Sequence, residues 1–245
     1  MIMLTNIIKT SKNTVFFGGA GVSTESNIPD FRSGNGRYIA KSVYGHHPEE
    51  LLSRTFFEHH PELFFRYYKE NLICLDAKPN TAHKVLAKLE QHKLLSAVIT
   101  QNIDGLHQVA GSKNVIELHG SNRNQYCMNC GEKYTLDYIL SDENCEGSIP
   151  KCKACGGFVR PDIVLYEEQL NKAIMHLAIK TIMAADCLIV GGTSLVVYPA
   201  AGLLQHFRGN QLVLINKDKT PYDDHADMVI HESIGKVLSE LIGHI

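Results

Sequence analysis

Four short stretches of the chain, 14–17, 94–99, 187–190 and 212–215, are apolar at nearly every position. Continuous apolar runs of this length suit strands buried on both faces of a parallel sheet, whereas a half-exposed strand would alternate. Each run is followed by Gly, Thr or Asn, residues that break a strand and let the chain turn. Between the runs the apolar positions move to helical spacing. Pro79, Asn80 and Thr81 carry helix-start chemistry, Pro through its fixed φ and Asn or Thr by capping free N–H groups. Ala82, Val85, Leu86 and Leu89 then share one face. Leu170, Ile174, Leu177, Ala178, Ile182 and Ala185 form a second stripe, and Ile234, Val237, Leu238 and Leu241 a third. Strands alternating with helices predict an α/β fold with a doubly wound parallel sheet.

Two stretches break the alternation. Residues 34–72 are rich in Tyr, Phe and His, with a helix expected over 61–71. Residues 121–160 hold five of the seven cysteines and the plainest turn signals. Both read as insertions standing together beside the sheet, so that one domain is expected from 1–33, 73–120 and 161–245. A smaller one is expected from 34–72 and 121–160.

Composition narrows the class. Apolar residues at 44% exclude a disordered chain, and 24 Lys+Arg against 26 Asp+Glu give a net charge of -2. That balance argues against duplex nucleic acid or an anionic membrane as the main partner. No apolar run approaches the ~20 residues of a membrane-spanning helix, and the polar residues mixed into 1–12 do not make a secretory signal. A cytoplasmic monomer is the expectation.

The cysteines add chemistry. Cys127 and Cys130 form one Cys-x-x-Cys pair, Cys152 and Cys155 another, with residues 131–151 between them. Two intervening residues let both thiolates of a pair reach one ion, and two pairs complete a tetrahedral zinc site. Gly131, Gly156 and Gly157 allow the chain to turn behind each pair. Four protein thiolates leave no open coordination position, so the zinc is structural. Cys145 lies between the pairs without a partner in the pattern.

Gly18-Gly19-Ala20-Gly21-Val22-Ser23 directly follows the first apolar run. Glycines there let backbone N–H groups approach a diphosphate, with a helix N-terminus behind them. They also suit a tight strand-to-helix turn with no ligand, and Thr24 stands where the dinucleotide fingerprint has its third glycine. Asp30, Phe31 and Arg32 follow a proline turn and have no evident core role.

Taken together the motifs resemble the sirtuins: 19–23 with Ile28-Pro29-Asp30-Phe31-Arg32, Thr100-Gln101-Asn102-Ile103-Asp104-Gly105-Leu106-His107, His119-Gly120, both cysteine pairs, Gly192-Thr193-Ser194-Leu195, and Asn216 at the end of the fourth run. The resemblance runs from about 15 to 241. It implies a Rossmann-type NAD-binding domain with a small zinc domain, and an NAD-dependent protein-lysine deacetylase that moves the acetyl group to ADP-ribose and releases nicotinamide. It also implies site roles. Gly19, Ala20, Gly21, Thr24, Asp30, Phe31 and Arg32 would line the cofactor loop. Gln101, Asn102, Ile103 and Asp104 would form the nicotinamide and ribose pocket. Gly192, Thr193, Ser194, Asn216, Lys217 and Ile234 would take the adenosine side. His119 would be the catalytic base, with Asn102 and Asp104 beside it; an imidazole has an ordinary pKa near ~6.5, suited to that work. Val159, Pro161, Asp162, Ile163 and Val164 would pair edge-on with the acylated peptide.

The chain departs from the sirtuin pattern at three places. Tyr166-Glu167-Glu168 stands for the usual Phe-Gly-Glu, so a positive φ at 167 would strain a glutamate. Asn27 replaces a glycine but tolerates left-handed backbone. Ser33-Gly34-Asn35-Gly36-Arg37-Tyr38 keeps a glycine loop able to close over NAD. The Tyr with Arg three residues on that holds acidic acyl chains is missing, since Lys41 follows Tyr38 and His47 follows Tyr44 at that spacing; Tyr67 and Tyr68 read as helix packing. A neutral acyl group, acetyl first, is expected. ADP-ribosyl transfer to protein is the alternative activity, and a non-catalytic NAD-binding interaction protein the alternative class.

Overall fold

The computed structural model describes residues 2–29 and 40–244. The chain opens with helix α1 (Ile2–Thr10) and enters strand β1 (Thr14–Gly18), the centre of a six-stranded parallel sheet. On one side of β1 lie β2 (Ala97–Thr100) and β3 (Val115–Glu117). On the other lie β9 (Cys187–Gly191), β10 (Gln211–Ile215) and β11 (Met228–Ile230). The order 11-10-9-1-2-3 is the doubly wound Rossmann arrangement. The winding reverses between β1 and β9, which run in parallel register from Thr14↔Cys187 to Gly18↔Gly191.

Pleating divides the apolar runs between two cores. Phe16, Val98, Ile189 and Val213 face α1, α5 (Thr81–Gln91) and α9 (Ile234–Ser239). Val15, Phe17, Ile99, Leu188, Val190 and Leu214 face α8 (Lys172–Ala184) and the turn Ala201–His206. α5 starts as its sequence predicts: the Asn80 side chain accepts from the amides of Ala82 and His83, and His83 closes a capping box. In α8 only Ala178 and Ile182 are fully buried; Leu177, expected on the buried face, is 47% exposed. Two further differences concern short elements. The edge strands β3 and β11 interrupt no apolar run and were not expected. The second run becomes a strand only from Ala97, where pairing with Val15 of β1 begins; Lys93, at φ 60, belongs to the turn that ends α5.

A third core lies to one side of the sheet. Helices α2 (Pro48–Leu51), α3 (Arg54–His59) and α4 (Pro61–Tyr67) contribute Leu51, Phe56, Phe57, Phe64, Phe65 and Tyr67. They pack with Cys127, Ile139, Cys152 and Val159 from the cysteine-rich stretch. That stretch forms β4 (Gly120–Cys127), β5 (Lys133–Thr135), α7 (Leu136–Leu140), the hairpin β6 (Cys145–Glu146) and β7 (Ile149–Pro150), and β8 (Val159–Ile163). β4 pairs antiparallel with β5 and β8. The expected boundaries after 120 and 160 therefore fall inside paired strands. Between β3 and β2 in sequence sits α6 (Leu106–Ala110). Among the described residues no helix is long and apolar enough to cross a membrane.

Candidate active site

Parallel strands present their carboxyl ends to one edge of the sheet, and where the winding reverses the loops leave a crevice. Here the loops after β1, β2 and β9 meet. The turn after β1 is built on contact with the β9 loop: the Gly21 amide donates to the Gly192 carbonyl at 2.8 Å. A Cβ on Gly21 would stand 2.8 Å from both Cα and O of Gly192. The glycine is thus required by loop-on-loop packing, whatever ligand the turn also meets. Among the described residues no α-helix directly follows it. Residues Ala20–Val22 and Thr24–Ser26 form two 3-10 turns ending at Asn27 (φ 61), so the expected helix N-terminus is replaced by short turns, and Asn27 adopts the left-handed backbone anticipated for it.

The β2 loop carries the next group. Asn102 Nδ2 donates to the Gly19 carbonyl at 3.1 Å and to Ser23 Oγ at 3.0 Å. Ser23 in turn donates to Asp104 Oδ2 at 2.7 Å, while Asp104 Oδ1 accepts from the Leu106 amide at 2.8 Å. Gln101 Nε2 donates to Thr193 Oγ1 at 3.1 Å, joining the β2 and β9 loops. His119, half-buried between β3 and β4, places Nδ1 2.8 Å from the Gln101 carbonyl. A carbonyl only accepts, so Nδ1 carries the proton and Nε2 is the basic nitrogen. Gly120 turns the chain behind it at φ 76, where a Cβ would lie 2.0 Å from the Asp162 carbonyl oxygen.

These residues line one cavity of about 290 Å³. Ala20, Gln101, Asn102, Ile103, Asp104 and His119 are on one side, and the segment from Ile163 to Glu168 forms the facing wall. Leu52 and Leu72 close it from the third core. Of the residues expected to meet the peptide, Ile163 and Val164 line the cavity. Val159 and Pro161 are buried within their strand, and Asp162 is exposed away from it. Thr24 is exposed and donates to the Gly21 carbonyl at 3.0 Å. Thr193 and the exposed Ser194 follow β9; Asn216 and Lys217 follow β10, with Asn216 Nδ2 donating to the Asp218 carbonyl at 2.8 Å. Ile234 is packed under Gly191 in the sheet core. Asp30, Phe31, Arg32 and Tyr38 lie outside the described residues.

Two groups carry no signal in the sequence. Ser23 reads there only as part of a turn. Arg160, 2% exposed, makes a two-pronged pair with Glu168 at 2.6 and 3.1 Å and stacks over Phe57. Burial by itself would raise the Glu168 pKa, but Arg160, the Leu165 amide and Arg54 more than offset it, and the carboxyl sits below its ordinary value. Glu167 does adopt left-handed backbone, φ 73. Such a conformation costs an L residue about 1–2 kcal/mol. Its carboxylate accepts from the amide and hydroxyl of Thr55 at 2.9 and 2.7 Å.

The four thiolates of Cys127, Cys130, Cys152 and Cys155 converge, all within 4.8 Å of one another. Cys127 and Cys155 sulfurs are 3.5 Å apart, Cys130 and Cys152 3.6 Å. A tetrahedral zinc with ~2.3 Å bonds needs sulfurs ~3.8 Å apart, so the cluster fits a structural zinc ion. The Asn129 amide points at Cys127 Sγ from 3.4 Å and the Tyr134 hydroxyl lies 3.1 Å from Cys152 Sγ, partners that steady thiolate ligands. Cys145 stands apart, with Lys69 Nζ at 3.5 Å.

A Rossmann-type sheet with a Gly-rich turn after its first strand, a cavity at the strands' carboxyl ends lined by Asn102, Asp104 and His119, and a four-thiolate module beside it define an NAD-using enzyme class. The Sir2 family model matches residues 19–199, and the chain belongs to that family. An NAD-dependent protein deacetylase of Clostridium acetobutylicum is 59% identical over 98% of this chain and 96% of its own length. One of Cutibacterium acnes is 50% identical over 96% and 95%. Among solved structures, a Sir2 complex with a p53 peptide and NAD+ superposes with a TM-score of 0.88 at 39% identity, covering 99% of this chain and 97% of that one. A Sir2 structure bound to a propionylated peptide gives 0.87 at 41%, covering 100% and 98%.

Proposed function

We infer that the chain is an NAD-dependent protein-lysine deacetylase, transferring the acetyl group of an acetylated lysine to ADP-ribose and releasing nicotinamide. The observation that carries the mechanism is the shared cavity of His119, Gln101, Asn102, Ile103 and Asp104, faced by the wall 163–168. NAD supplies the electrophilic ribose carbon and the ribose hydroxyl that takes the acyl group. His119, with Nδ1 held on Gln101, offers Nε2 as the base for that hydroxyl. Asn102 and Asp104, locked through Ser23, fix the geometry of the pocket before substrate arrives. The adenosine half is assigned to Thr193, Ser194, Asn216 and Lys217, the diphosphate to the turn 19–24 with Asp30, Phe31 and Arg32. Zinc keeps a structural role, held by residues that the cavity does not include.

Among the described lining residues there is neither Lys nor Arg, while Ile103, Leu52, Leu72, Ile163 and Leu165 are apolar. A neutral acyl chain therefore suits the pocket, and an acidic one would lose its hydration without a counter-charge. We further propose that 1–33, 73–120 and 161–245 form the NAD-binding domain, with 34–72 and 121–160 the small one. The single apolar core shared by the helices α2–α4 and the cysteine module supports that division. A monomer acting in the cytoplasm, with neither nucleic acid nor membrane as partner, agrees with the net charge of -2 and the metal-type cysteine pairs.

An acyl-peptide panel tests the function: purified protein, NAD and one peptide carrying acetyl, propionyl, butyryl, myristoyl or succinyl lysine, followed by peptide mass and nicotinamide together. Deacylation matched by nicotinamide release, fastest for neutral acyl groups and absent in His119→Ala, is expected. Nicotinamide release with the acyl group retained would instead indicate ADP-ribosyl transfer or NAD hydrolysis.

A further inference from the structure

The cavity wall opposite His119 is anchored at both ends, and the two anchors differ in kind. At its start the Val164 amide donates to the His119 carbonyl at 2.9 Å, tying the wall to the β3–β4 connection. At its far end it crosses to the helical insertion. The Tyr166 amide donates to the Leu52 carbonyl at 3.0 Å, and the Arg54 amide to the Tyr166 carbonyl at 3.0 Å. Arg54 Nη1 reaches Glu168 at 3.1 Å. The last tie is the Glu167 carboxylate on the amide and hydroxyl of Thr55, within the first turn of α3, where amides have no partner inside the helix. Glutamate accepts a left-handed backbone to make it. Residues persist in such sparsely populated conformations only where their surroundings over-determine them. The same hydrogen bonds hold the carboxyl below its ordinary pKa.

We propose that Glu167 is a positioning residue: its carboxylate latches the cavity wall 163–168 to α3 and so sets the affinity for the acylated peptide. The inference rests on the deacetylase reading above. The latch acts on the wall and spares the NAD side of the cavity, which is built from the β1, β2 and β9 loops. Its loss belongs in the peptide KM, not in kcat or the KM for NAD. Because the acceptor oxygen is what matters, glutamine restores it and glycine does not, even though glycine relieves the backbone.

The test compares wild type, Glu167→Gly, Glu167→Gln, Thr55→Val and the double variant Glu167→Gly/Thr55→Val. Each is titrated with acetyl-peptide at saturating NAD and with NAD at saturating peptide. Glu167→Gly should raise the peptide KM about fivefold, the scale of a net hydrogen-bond loss near 1 kcal/mol. Its kcat and NAD KM should stay within about twofold, and Glu167→Gln should return the peptide KM to within about twofold of wild type. Thr55→Val should shift the peptide KM the same way, and the double variant should be no worse than Glu167→Gly alone. Amide hydrogen exchange reads the latch without turnover: 164–168 should exchange faster in Glu167→Gly, with β1 and β9 unchanged. An unchanged peptide KM in Glu167→Gly, failure of Glu167→Gln to rescue it, or unchanged exchange at 164–168 would each overturn the latch. Wild-type protein that deacylates no peptide would defeat the functional reading instead, with the exchange result still deciding whether Glu167 holds the wall.

Discussion

One buried hydroxyl fixes two of the side chains assigned to catalysis. Ser23, 1% exposed, donates to Asp104 and accepts from Asn102, and its partners come from a loop about eighty positions further along the chain. Ser23→Ala removes both bonds and leaves Asp104 Oδ2 without that donor. We expect kcat/KM to fall about tenfold, the scale of one to two net hydrogen bonds, with the melting temperature lowered by no more than a few degrees. Steady-state kinetics alongside thermal unfolding check this, and wild-type kinetics in the variant would refute it. His119 was legible in the sequence because the residues around it form a local motif, as were the cysteine pairs. Ser23 was not, because its role depends on register: Gly18 pairs with Thr100, which brings the turn after β1 level with the loop after β2. Glu167 was legible as an anomaly only. Its partner Thr55 has no marking in the sequence, and a helix of six residues is too short to announce its first turn.

At the scale of elements, the apolar runs gave β1, β2, β9 and β10 because a strand buried on both faces has no polar positions to blur it. β3 and β11 stayed hidden for the opposite reason: each is three residues long, half-exposed, and paired on one side only. The cysteine module shows how one element's stability reaches another. Cys127 and Cys152 are buried in the same core as Phe57, Phe64 and Val159, and Val159 belongs to β8, whose end leads into the cavity wall. Removing zinc leaves four thiols drawn together without the ion that holds them, and the core behind β8 loosens. One zinc per chain should be released by chelation at raised temperature, read with a colorimetric chelator. Deacetylation should fall to a few per cent while far-ultraviolet circular dichroism keeps the helices of the sheet layers. Full activity in zinc-free protein would remove the module's role in supporting the wall. The same reasoning makes Gly21→Ala costly from the other side of the cavity, since the clash is with backbone on the β9 loop and cannot be relieved by a rotamer change. Its NAD KM should rise at least about tenfold, as expected when a binding loop shifts by a fraction of an ångström; NAD titration at saturating peptide measures it.

Across the whole molecule, two buried histidines with no assigned part in the chemistry tie the stability of the fold to pH. His83 is fully buried, and its Nδ1 accepts from the Asn80 amide in the capping box of α5. His107, 1% exposed, packs edge-on against it with ring centroids 4.7 Å apart, with Phe16 on another side. Burial pushes His83 down to about 4. It pushes His107 down to about 3, helped by His83 and opposed by Asp104. In the unfolded chain both return to about 6.5. Below that pH the unfolded state therefore binds protons that the folded state refuses, and stability present above pH 6.5 is lost as pH falls toward 4. Each histidine contributes a slope of up to about 1.4 kcal/mol per pH unit, over a range that begins well above the ordinary carboxylate values. Urea unfolding at pH 7, 6.5, 6, 5.5 and 5 should show the free energy of unfolding falling with a slope approaching two protons. His107→Phe, which keeps an aromatic ring in the site and removes the titration, should roughly halve that slope while leaving the pH 7 value within about 2 kcal/mol. A slope that is flat between pH 6.5 and 5, or unaltered in His107→Phe, would mean that the pair takes up its protons in the folded state and that the core beneath the active site is wetter than its burial implies.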